Sequence, residues 1–171
     1  MNPISNFLSN FLLYYTVAVI FTFMHELGHA LPLLLYSDAY VSIKLGRQIG
    51  NEKKVFTIKR LAIYADFPFL LTGRIFYNSH KVCINDKVRM YCYAGGPLVS
   101  LLFLLIFFTA YRIFDYDIIT FPSAAINGWL FISTVIPVVY PKCFGGLSGI
   151  PSDGLRIMKL LTQNNQNNRL I

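Results

Sequence analysis

His25-Glu26-Leu27-Gly28-His29 places two imidazoles four residues apart, with a carboxylate beside the first. On a helix, residues i and i+4 lie about 40° apart around the axis, so both rings project from one face and can share a metal ion. The adjacent glutamate is then in reach of water activated there, which is the acid–base arrangement of zinc hydrolases. The plain alternative is chance, or a pair of hydrogen-bonded core histidines. The setting argues against it: apart from Glu26, no Asp, Glu, Lys or Arg precedes Asp38. An ionisable side chain in so apolar a stretch costs at least about 2.5 kcal/mol without a partner. Catalytic zinc takes three protein ligands and keeps one position open, so a third ligand is needed. His80 lies in a polar link, where a lone histidine is ordinarily a surface residue. Cys143 and Asp153 both follow the last apolar stretch. Asp153 is preferred, because Pro151-Ser152-Asp153-Gly154 introduces an amphipathic run, Leu155 to Leu161, with Ser152 placed to cap it. Its plain reading is a helix-start carboxylate favoured by the dipole.

The elements that must carry these residues follow from composition. Of 171 residues, 55% are hydrophobic and only 13% charged, where an ordinary soluble domain carries about a quarter charged residues. The length allows one domain, 1–171, so the apolar excess must face something other than water, and lipid is the obvious candidate. Met90 to Tyr111 and Ile118 to Pro141 are uncharged runs of 22 and 24 residues. At about 1.5 Å per helical residue each can cross a hydrocarbon core of roughly 30 Å. The expected protein is mainly α, a polytopic membrane protein with a three-helix core at about 7–36, 90–114 and 120–140. Ten of the 15 basic residues fall between the first and second spans and four follow the third. The positive-inside rule then puts the N-terminus outside the cell membrane and the link and C-terminus in the cytosol. That distribution, rather than the net charge of +7, argues against a nucleic-acid partner. The N-terminal run lacks a basic n-region and a clear cleavage site, so it reads as a span and not a signal peptide. Cys83, Cys92 and Cys143 fall on or near the cytosolic side, where no disulfide is expected.

The link at 39–87 reads as β-rich. Val41 to Leu45 alternates apolar and polar residues, and Val55 to Ile58 and Leu61 to Tyr64 are rich in β-branched and aromatic types, with Gly50-Asn51 as a turn signal. A small antiparallel sheet or pair of hairpins is expected, with Val41 to Leu45 as an edge strand able to hold an extended substrate. His29 lies seven residues inside the end of the first span, about 10 Å deep at 1.5 Å per residue. Asp153 can reach that depth only if 141–152 forms a re-entrant segment or the third span unwinds at its end, with a helix following to 162. Prolines and glycines there forbid a regular helix. The polar stretch Gln163 to Asn168 reads as disordered.

His25-Glu26-x-x-His29 inside a first span, Gly96-Pro97 near the start of a second and Ser152-Asp153-Gly154 after a third together resemble the site-2 protease family of intramembrane zinc metalloproteases. The resemblance covers nearly the whole chain, in order and spacing. It implies one zinc ion held by His25, His29 and Asp153, Glu26 as general base, and hydrolysis of peptide bonds in membrane-embedded or membrane-proximal protein substrates. The family often shows Gly-Pro-x-x-Asn and Asn-x-x-Pro where this chain has Gly96-Pro97-Leu98-Val99-Ser100 and Thr134-Val135-Ile136-Pro137. Gly96, Pro97, Ser100 and Thr134 are thereby implied as support for the substrate or the reacting oxygen. Ala94-Gly95-Gly96 also suits close helix packing. A non-catalytic membrane binding protein of the same fold, or a metal carrier, are the other classes open to such a chain; a carrier would gain little from a glutamate beside its histidines.

Overall fold

The computed structural model describes residues 3–46, 52–67, 70–78, 84–114, 117–142 and 147–168. Helix α1 (Pro3–Tyr36) leads into strands β1 (Val41–Leu45), β2 (Lys53–Ile58), β3 (Leu61–Ala65) and β4 (Gly73–Tyr77). Helices α2 (Asp86–Ile113), α3 (Asp117–Val135) and α4 (Asp153–Asn168) follow. Helices α1, α2 and α3 are each long and apolar enough to cross a membrane. Only 11% of the apolar window of α1 is buried, and Phe7, Phe11, Leu12, Leu102 and Trp129 stand exposed. Apolar surface of that extent is unstable against water and calls for an apolar surrounding.

The bundle is organised on α2, which packs along both α1 and α3. The α1–α2 crossing is a glycine contact. A Cβ on Gly95 would stand 2.1 Å from the Gly28 carbonyl oxygen, and one on Gly28 would stand 2.5 Å from the Gly95 oxygen. Pro32 lies within α1 and has no N–H to donate to Gly28 four residues back, so this carbonyl is left for the neighbouring helix. Farther along, Phe21 packs between Phe103 and Phe107, with ring centroids 5.3 Å away in each case.

The sheet is mixed, with strand order β2-β3-β1-β4, and corrects two expectations. β2 and β3 do form an antiparallel hairpin, turning at Lys59-Arg60 with Lys59 at φ 49°. However, β1 runs parallel to β3 and antiparallel to β4, so Val41–Leu45 is a central strand and not an edge. Burial explains the order. Val41, Ile43 and Leu45 are all buried and need neighbours on both sides, whereas every residue of β2 is exposed and takes the rim. Alternation along a strand fixes which face is buried but not which strand lies beside it. The expected Gly50-Asn51 turn lies outside the described residues.

Arg60, in the β2–β3 turn, ties the sheet to α1. Its guanidinium donates to the Leu34 carbonyl at 2.7 Å and to that of Ser37. The first is an orphan acceptor of the last helical turn and the second follows the helix end, where a cation also suits the helix dipole.

Helix α3 stops at Val135, short of the expected 140, so the end of the third span is unwound, one of the two expected forms. Val139 pairs with Pro151, Tyr140 N–H donates to Ile150 O at 2.9 Å, and Ser152 N–H donates to Val138 O at 2.9 Å. Helix α4 then runs through Asn168, so the stretch expected to be disordered continues the helix.

Candidate metal centre

Three ligand atoms converge. His29 Nε2 lies 3.2 Å from His25 Nε2 and 3.2 Å from Asp153 Oδ2, and His25 Nε2 lies 3.8 Å from the same carboxylate oxygen. Ligands roughly 2.0–2.1 Å from a tetrahedral zinc ion lie about 3.3 Å apart, so the spacing matches one face of such a site. The expected trio is therefore together, close enough to bind a metal ion. His80 and Cys143, the other sequence candidates, lie outside the described residues.

The back nitrogens set the orientation of the rings. His29 Nδ1 lies 2.6 Å from the Cys92 carbonyl oxygen. A carbonyl only accepts, so Nδ1 carries the hydrogen and Nε2 presents its lone pair to the cluster. The approach of the Gly96 N–H to the same Nδ1, at 3.3 Å, is the weaker contact. His25 Nδ1 lies 2.8 Å from Ser100 Oγ, which can take its hydrogen in the same way. Both Nε2 atoms then face the carboxylate oxygen at distances that a shared proton or a metal cation can bridge. Ordering of ligand imidazoles through the distal nitrogen is the usual outer-shell device of metal sites.

Each element has a local reason to deliver its residue. Helix α1 presents His25, Glu26 and His29 on consecutive turns, all buried. On α2, Gly96 leaves room for both rings: a Cβ there would lie 2.3 Å from His29 Nε2 and 2.7 Å from His25 Nε2. Both sequence readings of Ala94-Gly95-Gly96 hold together, with Gly95 at the helix crossing and Gly96 against the ligands. Asp153 is placed by Ser152, whose buried hydroxyl donates to Ile136 O at 2.7 Å and accepts from the N–H groups of Val138 and Leu155. One side chain thus ties the end of α3 to the start of α4 and caps α4. Gly154 completes the join, since a Cβ there would stand 1.8 Å from the Val135 carbonyl oxygen.

A cavity of about 150 Å³ opens onto the trio and is also lined by Glu26, Thr134 and Tyr140. Pro97 is buried within α2, and Ser100 lies behind His25, where it touches the imidazole. The Thr134 hydroxyl donates back to Leu130 O at 2.7 Å. The sequence reading missed Gly73, Arg74 and Arg156, which line the same cavity. Gly73 lies against Glu26, with only 2.3 Å between its absent Cβ and Glu26 Cγ. A glycine opening a strand carries no signal of that contact; the basic pair stood among ordinary link and tail charges.

Burial pushes the Asp153 carboxyl up, but His29 and His25 opposite it outweigh burial and bring it below the ordinary carboxylate range. Burial, together with the charge of Asp153, pushes the Tyr140 hydroxyl up to about 12, so it stays protonated and can donate. Cys92 is a free, buried thiol; Cys83 and Cys143 lie outside the described residues. No family model matches the chain, and no curated protein or solved structure matches it.

Proposed function

We propose that this chain is an intramembrane zinc metalloprotease of the site-2 type, with α1, α2 and α3 spanning the bilayer, the N-terminus outside and the sheet and α4 on the cytosolic side. The observation that carries the reading is the convergence of His25 Nε2, His29 Nε2 and Asp153 Oδ2 on one point, with Glu26 lining the same cavity. Two nitrogen ligands and one carboxylate form the donor set of zinc hydrolases. The basic residues of the link and of α4 support the orientation.

A zinc ion held there would polarise water and a substrate carbonyl and supply positive charge to the transition state. Glu26, buried and beside the trio, takes the proton of the attacking water and passes it to the leaving amine. A peptide must be extended to expose the bond, and β4 offers the means. In the β1–β4 ladder, Gly46 N–H bonds Thr72 O and Asn78 N–H bonds Tyr40 O. By alternation, Phe76 and Arg74 face β1 with their backbone groups, whereas Gly73, Ile75 and Tyr77 turn theirs outward. Those three residues also line the cavity. Strand addition on β4 would thus run a substrate past the trio without demanding a particular sequence.

Metal analysis and a cleavage assay on purified protein test the reading. Wild type should carry one zinc ion per chain, and His25→Ala should carry little. Glu26→Gln should retain the ion and lose cleavage by at least about 100-fold. Metal-free wild type overturns the metal site, and a fully active Glu26→Gln overturns the hydrolase.

A further inference from the structure

Two arginines share the cavity with the ligand trio and Glu26, each from a different element. Arg74 comes from β4 and Arg156 from the first turns of α4. Arg156 is held in a defined pose: its Nε donates to Pro151 O at 3.2 Å, and its guanidinium lies 5.5 Å from the centre of the Tyr93 ring. That leaves both terminal amino groups of the guanidinium without a partner among the described residues. Arg74 lies 6.0 Å from the Phe76 ring centre, on the strand whose edge faces the cavity. Burial and the nearby Arg156 charge lower the Arg74 pKa by more than the Glu26 carboxylate raises it, so placing the second cation beside the first carries an electrostatic cost. Burying like charges is tolerated where an anion resolves them, and the planar guanidinium fork fits a carboxylate in two-point contact.

Building on the hydrolase reading above, we infer that Arg74 and Arg156 form a carboxylate subsite beside the metal centre, so that the enzyme selects substrates bearing a carboxylate next to the bond it cuts. The carboxylate has two sources of the same chemistry, the free C-terminus of a peptide or an acidic side chain. An anion seated between the two guanidiniums also removes their mutual repulsion, so the preference is strongest when both arginines are present.

The test uses full-length protein in detergent with cobalt in place of zinc, whose visible spectrum reports ligand binding. Three short peptide hydroxamates serve as probes: one with a free C-terminal carboxylate, one with that terminus amidated, and one amidated with a glutamate neighbour. Wild type should bind the first or the third at least about tenfold more tightly than the amidated neutral probe, the scale of one charge-assisted contact. The probe favoured identifies the source of the carboxylate. In Arg156→Gln and Arg74→Gln that ratio should fall toward one, and Arg156→Lys should restore part of it, while the unliganded cobalt spectrum stays that of wild type. Equal affinities for all three probes in wild type, or a preference that survives both glutamine variants, overturns the subsite and leaves the metal centre standing. Absence of any cobalt spectrum in wild type overturns the metal centre and the subsite together.

Discussion

Gly96→Ala tests the centre with one methyl group. In an ordinary helix interior this change stabilises by about 0.5–1 kcal/mol, because glycine loses more backbone freedom on folding. Here the new Cβ would lie 2.3 Å from His29 Nε2, 2.5 Å from His29 Cε1 and 2.7 Å from His25 Nε2, against an ordinary contact of 3.4 Å or more. The His29 ring must therefore retreat by about 1.1 Å, the difference between 3.4 and 2.3, where metal–ligand distances tolerate only about 0.2 Å. Retreat is blocked on both sides. His29 Nδ1 is held 2.6 Å from Cys92 O, and α2 cannot slide away while Gly95 sits on Gly28. Zinc affinity should fall by more than the 10–100-fold typical of losing a supporting contact. Gly128→Ala on α3 is the matched control, since its Cβ would find only the Leu104 methyl groups, at 3.6 and 3.9 Å. That variant should keep wild-type affinity and gain about 0.5–1 kcal/mol. Competition against a chromophoric chelator in detergent measures both, with thermal unfolding alongside. A Gly96→Ala protein that binds zinc within about threefold of wild type, less than the loss of a supporting contact, would mean the ion does not sit between these imidazoles.

Other perturbations probe the supports. Ser100→Ala removes the partner of His25 Nδ1 and should weaken zinc binding by about 10–100-fold without unfolding the bundle, as chelator competition will read. Gly154→Ala drives a Cβ to within 1.8 Å of a backbone carbonyl that cannot yield; it should cost about 3 kcal/mol and release the metal together with Asp153, seen by calorimetry and metal analysis. Ile75→Pro deletes an outward N–H of β4 while sparing the bonds to β1, so cleavage should drop with zinc retained. Unchanged turnover would remove strand addition from the mechanism.

The histidine pair was legible because its signal is local: an i, i+4 pair predicts a shared face on any helix. Ser152-Asp153-Gly154 announces only a helix start, and the resemblance to the site-2 protease family made Asp153 the third ligand. The spans were legible from charge-free runs, which survive errors of several residues at their ends. What stayed hidden depends on pairing across the chain. Val41–Leu45 reads as a strand on its own, but its central position follows from how little apolar surface β2 can bury, a comparison between strands. The contact of Gly73 with Glu26 and the gathering of Arg74 and Arg156 depend on how the sheet docks against α1 and on where α4 returns. The end of α3 was misplaced because Ile136 to Tyr140 is as apolar as the helix before it; Pro137 and the Ser152 hydroxyl end the helix, and the second of these lies well along the chain.

The two halves of the centre are fastened by different physics. His25 and His29 stand on a helix locked against α2 by the Gly28–Gly95 contact, a packing interaction indifferent to metal. Asp153 arrives on α4, an amphipathic helix that packs against α2 and is tied to the end of α3 by Ser152 and the fit of Gly154 against Val135. The Asp153 oxygen, 3.2 Å from His29 Nε2 and 3.8 Å from His25 Nε2, is joined to the rings by a shared proton when no metal ion is bound. An ion binding only the assembled trio would stabilise that arrangement by about 2.7 kcal/mol at one hundred times its dissociation constant. Because residues 147–152 and the first turn of α4 also line the cavity, an ion bound by the trio would at the same time fix one wall of that cavity.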